Sequence, residues 1–194
     1  CKTGHVVVFH DEQLDRLTDD TGPLKAKSWS EVQTLTIGDS TETVPLLAEA
    51  LSAIPNSTGV QLELKEYGSA DEILEIVSDY SHPTRYISFS PLALNEIRLR
   101  SPEESLGFIL HPGLFAENPE LGLNLATQLD CSTVHLYPQM LRDGETVSLA
   151  KERGLTVQAG FDDRSGAGTA STLERYADLG VDYVSLDKPS QAEE

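Results

Sequence analysis

The chain has 194 residues, 39% of them apolar and 24% charged, enough for one substantial domain with its own core. Asp and Glu number 32 against 14 Lys and Arg, a formal net charge of −18, and a field of that sign repels nucleic acid and anionic membranes. No run of about 18 apolar residues occurs, so no stable membrane insertion is expected, and Cys1-Lys2-Thr3-Gly4 lacks the charged-then-apolar pattern of a signal peptide.

The acidic residues are spread along the chain, which reads as a solvated surface rather than a tail. Acidic, Lys-poor surfaces suit cytoplasms of high salt, where the Debye length falls to a few ångströms, and a halophilic source is expected. Cys1 and Cys131 make neither a disulfide framework nor a Cys-x-x-Cys metal site. A reducing, cytoplasmic setting fits, with Cys131 a small buried residue.

In chain order, Val6-Val7-Val8-Phe9 reads as an apolar strand that ends in His10-Asp11. Residues 18–43 are polar and irregular and read as an elaborated surface loop, with a short helix at Ser30–Leu35. From there short apolar runs recur at Val60–Leu64, Tyr86–Phe89, Leu106–Leu110, Thr133–Leu136, Leu155–Val157 and Tyr183–Leu186. Helical patterns fill the gaps. Asp71–Val77 has apolar residues at helical spacing, with Ser69 or Asp71 as cap. Pro91–Leu99 opens with proline in the first turn, and Leu173–Leu179 stops at Gly180. Strands alternating with helices mean βαβ units and a parallel sheet in one domain, residues 1–194. Six strands suit either a doubly wound sheet or an eight-strand barrel short of two strands, and the local patterns leave both open.

Two places carry candidate chemistry. In Val60-Gln61-Leu62-Glu63-Leu64-Lys65, side chains alternate faces, so Leu62 and Leu64 point one way and Glu63 and Lys65 the other. Opposite charges on the inner face of a parallel strand are expensive unless paired or used. At the carboxyl end of a barrel strand they would stand where active sites are built. A structural ion pair is the competing reading. His10 at a strand end can move protons near neutral pH, with Asp11 orienting it or capping the next turn; a purely structural histidine is the alternative. His135 ends its strand and is a further pocket candidate. His111 reads as a turn residue, and His5 and His82 receive no role. Gly166-Ala167-Gly168 lacks the dinucleotide-binding spacing and reads as loop.

Five stretches together resemble the glycerophosphodiester phosphodiesterase family. Lys2–Asp11 continuing through Leu14-Asp15-Arg16-Leu17-Thr18 and Thr21-Gly22 resembles its T-K-D-G-x-x-V-V-x-H-D-x-x-L-D-R-T-T-x-x-T-G stretch. Val44–Leu51 resembles its I-P-T-L-E-E helix, Leu62-Glu63-Leu64-Lys65 its E-hydrophobic-K strand, Ile87–Leu94 its S-F strand and helix, and Gly180–Pro189 its closing G-V-D-x-hydrophobic-x-T-D-x-P. The resemblance implies a TIM (β/α)8-type barrel, here lacking its first two strands. It implies hydrolysis of small-molecule glycerophosphodiesters to an alcohol and glycerol phosphate, in glycerophospholipid metabolism, with a divalent metal, Mg²⁺ or Ca²⁺. By that match His10 is a catalytic acid/base, Glu63 a metal-ligating carboxylate and Lys65 a point charge on a phosphate oxygen. The three side chains are expected to share one pocket.

The departures are equally specific. The family's His-Arg-Gly and Glu-x-Asp motifs do not occur, and Gln158-Ala159-Gly160-Phe161-Asp162-Asp163 stands where the family has W-T-V-N. A shortened or divergent member is expected, with impaired turnover by these residues alone. A non-catalytic relative that binds a phosphoester or a protein is the alternative. Lys65 as a Schiff-base amine is disfavoured, because the carboxylate beside it favours the charged ammonium. An open sheet exposes edges that favour pairing with another chain, so a homodimer is expected.

Overall fold

The structure, a computed structural model, describes residues 1–160 and 170–186. The chain packs as two units, Cys1–Gly59 with Ser69–Pro83, and Val60–Gly68 with Thr84–Glu194.

In the first unit the expected strand at residues 6–9 is reduced to one antiparallel bridge between Val7 and Leu46. Val8 N–H donates to Pro45 O at 2.9 Å, and Leu47 N–H to Val6 O at 2.9 Å. Pairing stops there because the partner segment turns into helix immediately, and Val8 is left 43% exposed. The 18–43 segment carries a 3-10 turn at Leu24–Ala26 and helix α1 at Trp29–Val32. The Glu31 carboxylate accepts from Ser28 N–H at 2.8 Å and fixes the start of α1. Leu14, Val32, Leu35 and Val44 form a buried cluster with Val7, Phe9 and Trp29 packed against it, so this loop has a core of its own. Helix α2, Leu47–Ala53, is started by Glu49, whose carboxylate accepts from Leu46 N–H at 2.8 Å. Helix α3, Ala70–Ser78, follows Ser69, whose side chain makes no capping bond. Tyr80 Oη donates to Ala48 O at 2.8 Å, and His82 Nε2 to Leu51 O at 3.2 Å.

The second unit is a parallel sheet of six strands: β1 Val60–Glu63, β2 Thr84–Ser88, β3 Ser105–Ile109, β4 Thr133–Leu136, β5 Thr156–Ala159 and β6 Tyr183–Val184. Their spatial order is their chain order. A doubly wound sheet reverses strand order at a switch point, so that alternative is excluded. Helices α4 Pro91–Arg100, α5 Pro112–Phe115, α6 Pro119–Gln128, α7 Glu145–Glu152 and α8 Ala170–Asp178 occupy the connections. Tyr86, Leu106, Phe108, Val134, Leu136 and Val157 are fully buried. Phe108 meets Phe115 of α5 edge-on at 5.8 Å, so this set of side chains faces the helices. Gly122 of α6 packs so close to Leu110 that a Cβ there would lie 2.7 Å from its Cγ.

The opposite face curls on itself. Arg85 of β2 lies 5.2 Å from the ring centroid of Tyr183 of β6. Four strand spacings separate those strands, about 19 Å in a flat sheet, so strong curvature is required. The Asp182 carboxylate clamps this end, accepting from Val157 N–H at 2.7 Å and from Lys151. Burial opposes its ionisation, but these bonds outweigh burial and hold its pKa below the usual carboxylate range. Among the described residues no helix is long and apolar enough to cross a membrane.

Candidate functional site

The strand alternation expected around β1 is observed. Leu64 is buried, while Glu63 and Lys65 turn to the helix-free face. Lys65 Nζ lies 2.7 Å from Glu63 Oε1, with the two side chains 33% and 25% exposed. The contact is an ion pair without hydrogen-bond geometry, since Glu63 Oε1 is buried and accepts no hydrogen bond among the described residues. Glu63 also acts on His135 at the end of β4. Burial pushes the His135 pKa down to about 4, and the Glu63 charge opposes that shift without cancelling it. His135 is therefore neutral near pH 7, and the two groups share one face of the sheet.

A wall of rings borders this pair. His135 and Tyr137 lie 5.4 Å apart, Tyr137 and Phe89 6.5 Å, and Phe89 and His111 5.7 Å, centroid to centroid. Phe89 follows β2, His111 follows β3, and His135 and Tyr137 lie at the end of β4. His111 Nδ1 accepts from Gly113 N–H at 3.1 Å and starts α5, which is the turn role expected of it. Gln158 Nε2 donates to Ser185 Oγ at 2.7 Å on the same face. Sequence reading missed Tyr137 and Phe89. The signal was there for Tyr137, which stands two residues beyond His135 and shares its side under a period of two.

In the first unit His10 is part of a three-residue chain. Its Nδ1 lies 2.6 Å from Asp11 Oδ1. Arg16 grips the same carboxylate with a fork, Nε to Oδ2 at 2.6 Å and a terminal nitrogen to Oδ1 at 2.7 Å. The Arg16 bond, then the His10 bond, holds the Asp11 pKa well below the usual carboxylate range. An ionised Asp11 accepts from Nδ1–H, which leaves Nε2 as the ring nitrogen turned away from the carboxylate. The His10 side chain is 71% exposed. Of the two roles open to Asp11, orientation of the imidazole is the one its contacts serve.

The remaining candidates are structural. His5 stacks on Trp29 at 5.6 Å. Cys131 is buried and its thiol is pushed up to about 12 by that burial, and both cysteines are free. Gly166-Ala167-Gly168 and Phe161-Asp162-Asp163 lie outside the described residues.

As a metal centre the donors fall short. Among the described residues no group of three or more His, Cys, Asp or Glu side chains is placed to hold an ion. Glu63 offers hard oxygen, but one carboxylate already paired to a lysine does not make the six-oxygen shell that Mg²⁺ demands.

A sequential parallel β/α sheet with charged and ring side chains gathered at the carboxyl ends of its strands is the arrangement of a β/α-barrel-type enzyme. The chain belongs to the glycerophosphoryl diester phosphodiesterase family, whose model matches residues 1–191. That family consists of phosphoric diester hydrolases. A glycerophosphodiester phosphodiesterase of Caldanaerobacter subterraneus subsp. tengcongensis is 25% identical, over 97% of this chain and 79% of that protein. The crystal structure of a glycerophosphodiester phosphodiesterase from Agrobacterium tumefaciens superposes with a TM-score of 0.76 at 26% identity, over 97% of this chain and 80% of that one. A phosphodiesterase of Oleispira antarctica, solved with the product sn-glycerol-3-phosphate, superposes with a TM-score of 0.82 at 26% identity, over 98% and 78%.

Proposed function

We propose that this protein hydrolyses glycerophosphodiesters to an alcohol and glycerol phosphate, with His10 as proton-transfer group and Lys65 on a phosphate oxygen. The observation that carries the reading is the His10–Asp11–Arg16 chain. Hydrolysis breaks the phosphorus–oxygen bond to the alcohol and adds water. One proton must reach the departing oxygen, and one must leave the water. An imidazole fixed through Nδ1 and bare at Nε2 can accept a proton and return it. Lys65 brings positive charge to an anionic substrate on a protein of net charge −18, where local cations are needed. Glu63 pairs with that ammonium and holds it in place. The product held by the Oleispira relative supports a small-molecule phosphoester as ligand.

A divalent metal requirement, Mg²⁺ or Ca²⁺, is part of the proposal, with Glu63 as one oxygen donor among others that the described residues do not supply. We also propose that these 194 residues turn over more slowly than a chain that also carries the His-Arg-Gly and Glu-x-Asp motifs. The test is release of glycerol phosphate from glycerophosphocholine and glycerophosphoethanolamine, with Mg²⁺, with Ca²⁺ and with chelator. Release that depends on His10 supports the reading. Tight binding of the diesters with no release under any condition refutes it and returns the non-catalytic alternative.

A further inference from the structure

We infer that Ser88 is a positioning residue for Lys65: its hydroxyl pins the backbone between Glu63 and Lys65 and so sets the direction of the ammonium. The inference rests on the functional reading above, in which Lys65 meets a phosphate oxygen, and adds the group that holds Lys65 to that task.

Strand β1 stops short of Lys65. Its register with β2 ends at Glu63 opposite Ile87, and one further backbone bond runs from Leu64 N–H to Ile87 O at 2.8 Å. In a continuing parallel ladder the next acceptor along β1, Leu64 O, would take a backbone N–H of β2. Here a side chain meets it, the Ser88 hydroxyl donating to Leu64 O at 2.6 Å. The contact carries the course of the strand one step further. Alternation then sends Lys65 to the side of Glu63, where its Nζ lies 2.7 Å from Glu63 Oε1.

The surroundings make this a built tether. Ser88 is 1% exposed and Leu64 6%, so water does not compete for the bond and the Leu64 side chain is itself held on the helix side. A hydroxyl can donate once and accept as well, and Ser88 does both, because its oxygen also accepts from Ser90 N–H at 2.9 Å. Ser90 in turn starts α4 by accepting from Ala93 N–H at 3.4 Å. One hydroxyl therefore ties the end of β1 to the start of α4. Without it, Leu64 O is left unmet in a buried place, and the segment that carries Lys65 is free to shift. A binding group displaced by even about 1 Å loses much of its effect.

The test measures binding of inorganic phosphate to the whole protein by calorimetry. Ser88→Ala is expected to weaken it about tenfold, while Ser88→Thr, which keeps the hydroxyl, restores it. In a Lys65→Met background Ser88→Ala should cost nothing further, because changes that act through one contact are not additive. Coupling is reciprocal, so phosphate should slow hydrogen exchange at the Ser90 amide of the wild type, a readout that needs no variant to fold. Wild-type affinity in Ser88→Ala, the same loss with and without Lys65, no rescue by threonine, or a Ser90 amide indifferent to bound phosphate overturns the tether. Wild-type protein that binds no phosphate, or Lys65→Met that binds it as tightly as the wild type, overturns the functional reading of Lys65, and the tether with it.

Discussion

Lowering the pH from 7 to 4 charges an imidazole that this fold holds neutral. His135 titrates at about 4 in the folded chain against 6.5 for the free side chain, because burial penalises the ring cation more than Glu63 rewards it. Below pH 6.5 the unfolded state therefore binds protons that the folded state refuses. The stabilisation is fully present above about pH 6.5 and is lost as the pH falls towards 4. The difference of 2.5 units between 6.5 and 4 corresponds to about 3 kcal/mol at 1.36 kcal/mol per unit, a ceiling for this one group. Urea unfolding at a series of pH values between 7 and 4 would show it as a fall in midpoint of about 1 M or more. His135→Gln removes the titrating group, so its stability should fall much less over the same range, and the difference between the two curves isolates the histidine. Direct titration by NMR gives the pKa itself. Wild-type and variant curves that fall in parallel, or a His135 pKa at or above 6.5, would refute the burial argument.

Other perturbations separate the roles assigned above. His10→Ala should lower kcat by about 10² to 10⁴, the usual worth of a positioned acid/base, with circular dichroism unchanged. Asp11→Asn and Arg16→Gln leave the imidazole in place but remove what holds it, so each should cut kcat by about tenfold with a smaller effect on KM; Arg16→Lys should not rescue, because only the guanidinium fork spans both Asp11 oxygens. Lys65→Met should raise KM for anionic diesters, and Glu63→Gln should raise the Mg²⁺ or Ca²⁺ concentration needed for half-maximal rate. Gly122→Ala gains about 1 kcal/mol of helix propensity, but its methyl group meets the fully buried Leu110 at 2.7 Å, and overpacking of that kind costs about 1–3 kcal/mol. The net loss should lower the thermal midpoint by a few degrees, and a rise would show that Leu110 can yield.

The parallel sheet was legible because each strand is a short apolar run between helical patterns; the strand order was not, because βαβ connections suit a doubly wound sheet as well as a barrel. The observed β5 runs to Ala159, two residues past the apolar run, because Gln158 faces the curled side and breaks the hydrophobic signal. Val6–Phe9 misled in the other direction. Four apolar residues read as a strand, yet pairing needs a partner of equal length, and Leu46 is followed at once by α2. The facing of Glu63 and Lys65 was legible from alternation alone. Arg16 was not, because a loop residue five positions past Asp11 has no periodicity to announce it.

The central claim is that His10 moves the proton in hydrolysis of a glycerophosphodiester. Phosphorus NMR of glycerophosphocholine incubated with Mg²⁺ at pH 7 tests it most directly. The account predicts that the wild-type protein converts the diester signal to that of glycerol phosphate, and that His10→Ala does so at least about 100-fold more slowly. Conversion at the same rate by both proteins would contradict it.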